Sequence, residues 1–454
     1  MTTVNAVNRV GALARVLLTF LTLCLTQPGM TATPEITLLG NGAKLVTLYD
    51  PTSPVVVINV FFRVGMGDEV QKPGMTALIT RAWFSDGRYR SANQLRRDIS
   101  TFGSGVGSSF EGSFAEIWSV SESSQSAVEQ SAQTLLLNLV ASPGFSPEAV
   151  TAAKDEQLRA MALTEGNPLT ATLNRLRGRV WFESPQGRPL LGTAESVSTI
   201  TPKEVQAYYT RFFRPARAVI VIAGNITSSR ARRLVEQNLN AAGWSETGRP
   251  DAPETLPAPE RVPPTLRDVT LGRTDPASVF AIGYLAPGTQ ANSRSDWATL
   301  LVLDTVLGGG KASRLFRLRD EADPPEEPVG YEIRTQLFPS RSQSLWAAYV
   351  IGNNPTATTR ARVLATLSAL GTGKEPVTEK ELARAKAYLK GKQALARQQW
   401  KDQSHALGRA EMMGLGAEFE TDYDSLIDAV EAEDVTRLAR QIFGDASGAV
   451  VSTQ

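Results

Sequence analysis

The sequence predicts an α+β protein made of two homologous α/β halves, each a mixed sheet flanked by helices. Three observations lead to this fold class. Strand and helix patterns follow one another without the regular rhythm of a parallel sheet. A proline-rich linker at residues 246–266 interrupts the chain near its middle. After the linker the same succession of patterns begins again, as expected for an internal duplication.

The first half, residues 35–245, is predicted to open with β-structure. Asn41 and Gly42 lie between two strand-like runs, and this pair favours the tight turn of a β-hairpin. Residues 55–64 are dense in β-branched side chains and therefore predict a strand buried in a sheet. Residues 106–120 alternate large and small side chains, which indicates a pair of strands.

Helical patterns separate and follow these strands. The helices predicted in this half span residues 77–84, 92–99, 126–162, 169–182 and 202–213. Thr201 is a suitable N-cap for the last of them, because Pro202 then occupies the first turn. A short apolar run at 218–223 predicts a buried strand that ends at Gly224.

The second half, residues 267–454, repeats this pattern. A strand is predicted over residues 278–285, a helix over 294–307 and one long helical stretch over 378–415. The total of 454 residues is also more than one compact core usually contains, so two or more domains are expected.

The first 32 residues have the pattern of a signal peptide. Arg9 and Arg15 supply positive charge, an apolar run follows at 16–25, and Ala32 is a small residue suited to cleavage. The run is shorter than the roughly 20 residues that span a bilayer, so we expect no stable membrane insertion. The sequence thus predicts a periplasmic or secreted protein. Because Cys24 lies in this segment, the mature chain would have no disulfide.

Composition excludes several classes of function. The chain has 47 basic and 46 acidic residues, and this balance argues against bulk binding of nucleic acid or anionic lipid. His405 is its only histidine and Cys24 its only cysteine, so the usual ligands of catalytic zinc are missing. We interpret His405 as a surface or packed side chain. Without a G-x-S-x-G segment, a serine hydrolase built on it is disfavoured.

Several segments carry a resemblance to a known family. They read L-x-N-G-x-x-L-V at 39–46, R-V-G at 63–65 with Glu69 after it, G-R-P-L-L-G-T at 187–193, Y-Y-x-R-F-F-R-P at 208–215, L-G-G-G-K-A-S-R-L-F at 307–316 and E-L-A-R-A-K at 381–386. In this order and spacing they resemble the insulinase or pitrilysin-type zinc metallopeptidases, especially the short members related to the mitochondrial processing peptidase. The resemblance covers nearly the whole mature chain.

In that family an inverted zinc helix, H-x-x-E-H, places two histidines on one helical face with a glutamate as general base. The family register puts Ala77 and Arg81 at the two histidine positions and Thr80 at the general base. A methyl group cannot ligate zinc, and arginine remains protonated and would repel the ion.

The family's third zinc ligand is a glutamate on a later helix, before an acidic-Asn-Pro turn. The matching turn here is E-G-N-P at 165–168, which puts Ala160 at the ligand position, with Glu156 one turn away. The resemblance therefore implies that this chain holds no metal. A site made only of carboxylates is a third, less favoured alternative, for which no spacing stands out.

The resemblance also implies a pair of catalytic residues in the second half. Family members carry an arginine and a tyrosine, usually seven positions apart, that hold the substrate backbone and the developing oxyanion. The matching residues are Arg319 and Tyr331, which are separated by twelve positions because residues 322–328 lengthen the loop. Such a pair would supply electrostatic stabilisation of the transition state. Residues 103–110 fall near the family's substrate-binding edge strand, where a peptide could add as a further strand.

These implications lead to one leading hypothesis and one alternative. The chain would be the zinc-less subunit of a heterodimeric metallopeptidase, contributing Arg319 and Tyr331 while a paralogous subunit carries the zinc. It would show no peptidase activity by itself, and its substrates would be peptides or unfolded proteins. The alternative is a non-enzymatic scaffold, peptide-binding or assembly protein with the same fold.

Overall fold

A computed structural model describes residues 33–69, 71–88, 90–101, 105–182, 184–244, 267–271, 278–290, 294–320, 330–352, 357–444 and 448–453. The predicted signal peptide and the predicted linker lie outside these residues. Pro34–Gln454 forms one compact unit. Within the described ranges, no helix combines the length and apolar character that crossing a bilayer requires.

The first sheet has six strands in the spatial order β1-β2-β6-β3-β5-β4. These strands are β1 (Glu35–Leu38), β2 (Lys44–Tyr49), β3 (Val55–Phe62), β4 (Gly105–Phe110), β5 (Ala115–Glu122) and β6 (Ala218–Gly224). The helices of this half are α1 (Met75–Ala82), α2 (Ala92–Thr101), α3 (Gln125–Ala132), α4 (Pro147–Gly166), α5 (Pro168–Val180), α6 (Ala194–Ser198), α7 (Pro202–Phe212) and α8 (Ser228–Ala241).

The second sheet has five strands in the order β7-β11-β8-β10-β9. These strands are β7 (Arg267–Leu271), β8 (Ser278–Pro287), β9 (Glu332–Phe338), β10 (Gln343–Gly352) and β11 (Gly448–Thr453). The helices of this half are α9 (Arg294–Gly308), α10 (Arg314–Asp320), α11 (Ala357–Gly371), α12 (Glu379–Ala396), α13 (Trp400–Met412), α14 (Glu418–Asp428) and α15 (Ala432–Phe443).

The two sheets repeat one topology. Strands β2 and β6 pair in parallel, as do β7 and β11, and every other neighbouring pair is antiparallel. Strands β2 to β6 therefore have the same spatial order as β7 to β11, and β1 is an addition at one edge. This mixed, repeated arrangement confirms the α+β fold class and its two similar halves.

Local sequence features account for several elements. In the β1–β2 hairpin, Asn41 Oδ1 accepts a hydrogen bond of 3.1 Å from the Ala43 amide, which closes the turn. Strand β3 is buried at every residue after Val55, as its β-branched composition predicts. Helix α7 begins with a capping box in which Thr201 and Glu204 bind each other's backbone amides. The hairpin, the buried strand and the N-cap predictions are all confirmed.

Two of the long helices predicted from the sequence are each divided in the structure, so the prediction of continuous helices is wrong there. The predicted helix at 126–162 is divided, since α3 continues as a π-helical stretch over Gln133–Val140 and α4 starts only at Pro147. The predicted stretch at 378–415 is likewise two helices, with a break at residues 397–399 between α12 and α13. Packing explains the second break, because α12 contributes to the core of its own half whereas α13 packs against β3 and β6 of the first sheet.

The two halves exchange one helix each. Helix α5 of the first half packs against β8 and β11, and α13 of the second half packs against β3 and β6. In the repeated topology β3 and β6 of the first sheet correspond to β8 and β11 of the second, so the two helices occupy equivalent positions. On the second sheet the contact is apolar, with Leu176 and Val180 buried beside Ala281 and Val451. Each half therefore covers part of the other's sheet.

Candidate functional site

Helix α1 is the element that would carry the zinc ligands in the family register. A buried carboxylate, Glu69, fixes its start by accepting hydrogen bonds from the amides of Gly74 (2.8 Å) and Thr76 (2.7 Å). Burial raises the pKa of Glu69, although these hydrogen bonds act in the opposite direction. Gly74 has a φ of 92°, and a Cβ there would overlap the Leu191 carbonyl. The segments at 63–69 and 187–193 thus meet where α1 begins.

The three positions of the inverted zinc motif have no free ligand atom pointing outward from α1. Ala77 is buried, with 1% of its surface exposed. The hydroxyl of Thr80 and the Nη1 of Arg81 both donate hydrogen bonds of 2.9 Å to the Ala77 carbonyl. The two side chains that could reach a substrate or an ion are therefore folded back onto their own helix.

Helix α4 brings the third family position next to α1. Arg81 Nε lies 3.7 Å from Glu156 Oε1, so the residue at the second histidine position forms an ion pair with α4. Burial lowers the pKa of Arg81, and the charge of Glu156 acts against that change. Ala160 lies one turn further along α4 and offers only a methyl group. The four family positions thus hold a cation, an alcohol and two methyl groups, and these groups cannot supply the three ligands and the general base of a zinc site.

No other metal site is evident in the ranges that the structure describes. No group of three or more His, Cys, Asp or Glu side chains comes together there in a way that could hold a metal ion. The carboxylate-only alternative therefore has no described cluster in its favour.

Strand β4 is the edge of the first sheet next to α1. It pairs with β5 on one side and has no strand on its other side among the described residues. Ser108 Oγ donates a hydrogen bond of 2.7 Å to the Thr80 carbonyl, which ties this edge to α1. The predicted edge-strand position of residues 105–110 is thus correct, and main-chain groups on the open side remain available for a further strand.

Arg319 and Tyr331 meet at the equivalent edge of the second sheet. Arg319 belongs to α10 and Tyr331 precedes the edge strand β9. Arg319 Nη1 donates a hydrogen bond of 3.2 Å to the Tyr331 carbonyl, and the guanidinium lies over the Phe316 ring. Tyr331 is 51% exposed. The fold therefore brings the predicted pair together despite the longer spacing, whereas most of the intervening loop, 321–329, lies outside the described residues.

A buried ion pair nearby was missed by the sequence reasoning. Arg314 contacts Glu381 through two hydrogen bonds of 2.8 Å, and it also donates to the carbonyls of Glu375 and Pro376. Burial raises the pKa of Glu381, but the bonds from Arg314 and Thr378 outweigh it and hold the pKa at about 2. Both partners belong to segments that carry the family resemblance, 307–316 and 381–386, which was the available sequence signal.

His405 has a more specific environment than the sequence predicted. Its Nδ1 lies 2.9 Å from Glu116 Oε2 and its Nε2 lies 3.4 Å from Glu111 Oε1. Ser109 donates to Glu116 rather than to the imidazole, so the three side chains do not form a nucleophile with its base. The packed-histidine interpretation holds, and the acidic partners could not be identified because they lie almost 300 positions earlier, 289 in the case of Glu116.

Comparisons with known proteins agree on one family. Residues 199–389 match the sequence model of the Peptidase M16 inactive domain. An uncharacterized zinc protease of Mycobacterium leprae is 26% identical over 430 residues, covering 91% of this chain and 90% of that protein. The beta subunit of the mitochondrial-processing peptidase of Blastocladiella emersonii is 22% identical over 428 residues, covering 92% and 88%.

Solved structures match the whole fold. A protease from Helicobacter pylori superposes with a TM-score of 0.82 at 16% identity, covering 93% of this chain and 100% of that one. A peptidase M16 inactive domain from Pseudomonas fluorescens gives a TM-score of 0.80 at 18% identity, covering 93% and 97%. The chain therefore has the insulinase-like M16 fold and is similar in sequence to zinc proteases of this kind over most of its length, and its residues 199–389 match the Peptidase M16 inactive domain.

Proposed function

We propose that this chain is the exported, zinc-less subunit of a two-chain peptidase whose other subunit carries the zinc. The observation behind this proposal is the Arg81–Glu156 ion pair, which places a guanidinium between α1 and α4, the two helices that match the zinc-binding segments of the family. A permanent positive charge at that position disfavours a metal cation. The M16 fold around the pair supports a role that uses the fold without its own zinc.

The role of the chain in catalysis would rest on Arg319 and Tyr331. A guanidinium tethered to the Tyr331 carbonyl and an exposed phenol beside it offer two donors at a sheet edge. Donors fixed in advance stabilise the negative charge that develops on a carbonyl oxygen during peptide hydrolysis. An extended peptide or unfolded segment is the substrate class that fits, because open strand edges bind main-chain groups.

Two further features support a partnership outside the cytoplasm. One of the relatives is named as a subunit, the beta subunit of a processing peptidase. The predicted signal peptide supports export of this chain to the periplasm or the medium. Zinc would belong to the partner subunit, and no cofactor is assigned to this one.

The subunit assignment is tested by assaying the mature chain alone, a zinc-bearing paralogue from the same organism alone, and the two mixed. We expect hydrolysis of a quenched fluorescent peptide only from zinc-bearing samples, with the mixture more active than the paralogue. Zinc-dependent hydrolysis by this chain alone would contradict the assignment. Formation of a stable complex with no gain in activity would favour the scaffold function instead.

Variants of the mixed enzyme test the proposed donors. Arg319→Ala and Tyr331→Phe should each lower kcat by about 100-fold, the usual cost of removing one donor to a forming oxyanion. Arg334→Ala is the matched control, because this arginine lies on β9 with 63% of its side chain exposed and forms an ion pair with Glu332 on the same strand. Undiminished kcat in both donor variants would remove Arg319 and Tyr331 from the mechanism.

A further inference from the structure

Helix α13 crosses the first sheet with a row of side chains that contact successive strands. Lys401 Nζ lies 4.6 Å from the centre of the Trp118 ring on β5, and Glu411 forms an ion pair of 2.6 Å with Lys44 on β2. Between them, Gly408 lies against Phe61 on β3, where a Cβ would overlap the ring. His405 occupies the remaining position of this row. The row is one part of the contact between α13 and the first sheet, which also includes β6.

The imidazole of His405 lies between two carboxylates of the first half. Glu116 on β5 is 2.9 Å from Nδ1, and Glu111 in the β4–β5 turn is 3.4 Å from Nε2. The Glu116 side chain is only 4% exposed and that of His405 is 30% exposed. Both ring nitrogens can donate to carboxylates only when the imidazole is protonated. The arrangement therefore matches an imidazolium ion.

Glu116 depends on that positive charge. Its other partners are the neutral groups of Asn59, which donates to Oε1 at 2.5 Å, and Ser109, which donates to Oε2 at 3.1 Å. The remaining charges that face His405 are Arg409 on α13, which pairs with Glu111, and Glu420 on α14. No cation other than the imidazolium lies within ion-pair distance of Glu116 among the described residues.

We infer that His405 is a pH-dependent latch between the two halves, which holds α13 on the first sheet when protonated and loosens it when neutral. A neutral ring leaves the buried Glu116 carboxylate without the ionic partner that it has among the described residues, and an uncompensated buried charge strongly destabilises the contact that contains it. The exposed surface would include Phe61 and Phe114, which form an aromatic pair beside the His405 ring.

The direction of the pH effect follows from the two groups. Burial lowers the pKa of His405, but the hydrogen bond and charge of Glu116 and the charge of Glu111 outweigh it, so the pKa lies above its ordinary value. Its stabilisation is then complete below about pH 6.5 and is lost as the pH rises through the native pKa. Burial alone would raise the pKa of Glu116. The hydrogen bond and charge of His405 and the hydrogen bond from Asn59 outweigh burial, so the pKa lies below its ordinary value. Its contribution is lost only as the pH falls below the ordinary glutamate value.

The experiment combines two measurements on the mature wild-type chain freed of any tag. Because His405 is the only histidine, the Hε1 resonance of its imidazole can be followed without overlap from another histidine. Hydrogen exchange, corrected for intrinsic rates, is followed in α13 below and above the pKa measured in this way. Helix α5 is the internal control, because its buried contacts with the second sheet are mainly apolar and its one buried cation there, Arg177 over the Phe338 ring, stays charged in this pH range.

We expect an imidazole pKa above the ordinary value and a loss of protection in α13 as His405 deprotonates, with a fold-change set by the measured elevation of the pKa, because each unit of that elevation corresponds to about tenfold. Protection in α5 should change less than about twofold. An ordinary imidazole pKa, or equal pH responses of α13 and α5, would overturn the latch. These readouts need no variant, so they decide the question even if substitutions prevent folding.

Variants then separate the latch from general stability. Glu116→Gln should lower the imidazole pKa and abolish the pH response of α13, whereas Glu111→Gln should change both less, because Glu111 is 38% exposed. His405→Gln should give α13 a protection that no longer depends on pH in this range. A pH response of α13 that persists in His405→Gln would assign it to other groups and would overturn the inference.

Discussion

At the scale of single residues, Arg81 is the most informative side chain. Its guanidinium binds both the Ala77 carbonyl of its own helix and Glu156 on α4. The i, i+4 spacing that would present two ligands to one ion instead presents a methyl group and a cation. No single substitution reverses this, because Ala160 also lacks a ligand atom. Ligand atoms are thus missing at several positions that match the family motif, although α1 and α4 lie side by side.

Arg314 and Glu381 lead to a prediction about stability. Arg314→Ala should lower the free energy of unfolding by about 3 kcal/mol, because it removes two charged hydrogen bonds from Glu381, whose side chain is 11% exposed. Arg317 stays near Glu381 as a cation, but it is 3.6 Å away and 47% exposed. Urea denaturation followed by circular dichroism measures the change. Arg232→Ala is the control, since Arg232 pairs with Glu236 at the surface, where its side chain is 52% exposed, and such pairs contribute less than about 1 kcal/mol. An equal decrease in the free energy of unfolding in the two variants would show that the buried ion pair stabilises the protein no more than the surface pair does.

Among the secondary-structure elements, the break between α12 and α13 could not be predicted from a helix-breaking residue, because it contains no glycine or proline. The residues there, 397–399, read R-Q-Q, which favour helix as well as their neighbours do. The chain changes direction because the apolar residues of α12 belong to the second core, whereas α13 packs against the first sheet. Packing in the tertiary structure has here outweighed local propensity.

Two glycines in these neighbouring helices allow a matched test of that packing. Gly408→Ala should destabilise the protein by about 1–3 kcal/mol, because the added methyl group overlaps the Phe61 ring and forces a shift. Gly391→Ala in α12 meets no atom within 4 Å and should stabilise by up to about 1 kcal/mol, since alanine favours helix. Denaturation midpoints measure both. The same sign for the two variants would contradict the close approach of α13 to the sheet.

At the scale of the whole molecule, the exchange of α5 and α13 makes the halves depend on each other. Each helix covers strands of the other half, and Pro34–Gln454 accordingly forms one compact unit. Neither sheet can bury all of its apolar surface with the helices of its own half. This reciprocal contact stabilises the two sheets without an intramolecular disulfide, since the chain has one cysteine.

Separate production of residues 33–245 and 267–454 tests this dependence. Each half alone should aggregate or lack a cooperative thermal transition, because the strands that α5 and α13 cover would be exposed to water. The two halves expressed together should form a one-to-one complex with a cooperative transition. Size-exclusion chromatography and calorimetry provide the measurements. Two monomeric halves that each unfold cooperatively would show that the exchanged helices are dispensable.

Much of the fold and part of the candidate site could be predicted from sequence. The Asn41-Gly42 hairpin, the Thr201 cap and the buried strand β3 depend on residues close together in the chain, so local patterns were sufficient. The pair formed by Arg319 and Tyr331 was found only through the family resemblance. The setting of His405 was missed, because Glu111 and Glu116 belong to the other half and no local pattern connects them.

Residue patterns along the chain are enough to predict the α+β class, most of the helices and strands, and the replacement of zinc ligands at the positions that match the family motif. These features follow from side-chain chemistry and from spacing within single helices and strands, which do not depend on distant residues. Three other features become visible when the chain is folded: the ion pair of Arg81 with Glu156, the exchange of two helices between the sheets, and the position of one imidazole between two carboxylates. Each of these is a contact between segments far apart in the chain, and its energy depends on burial that exists only after folding.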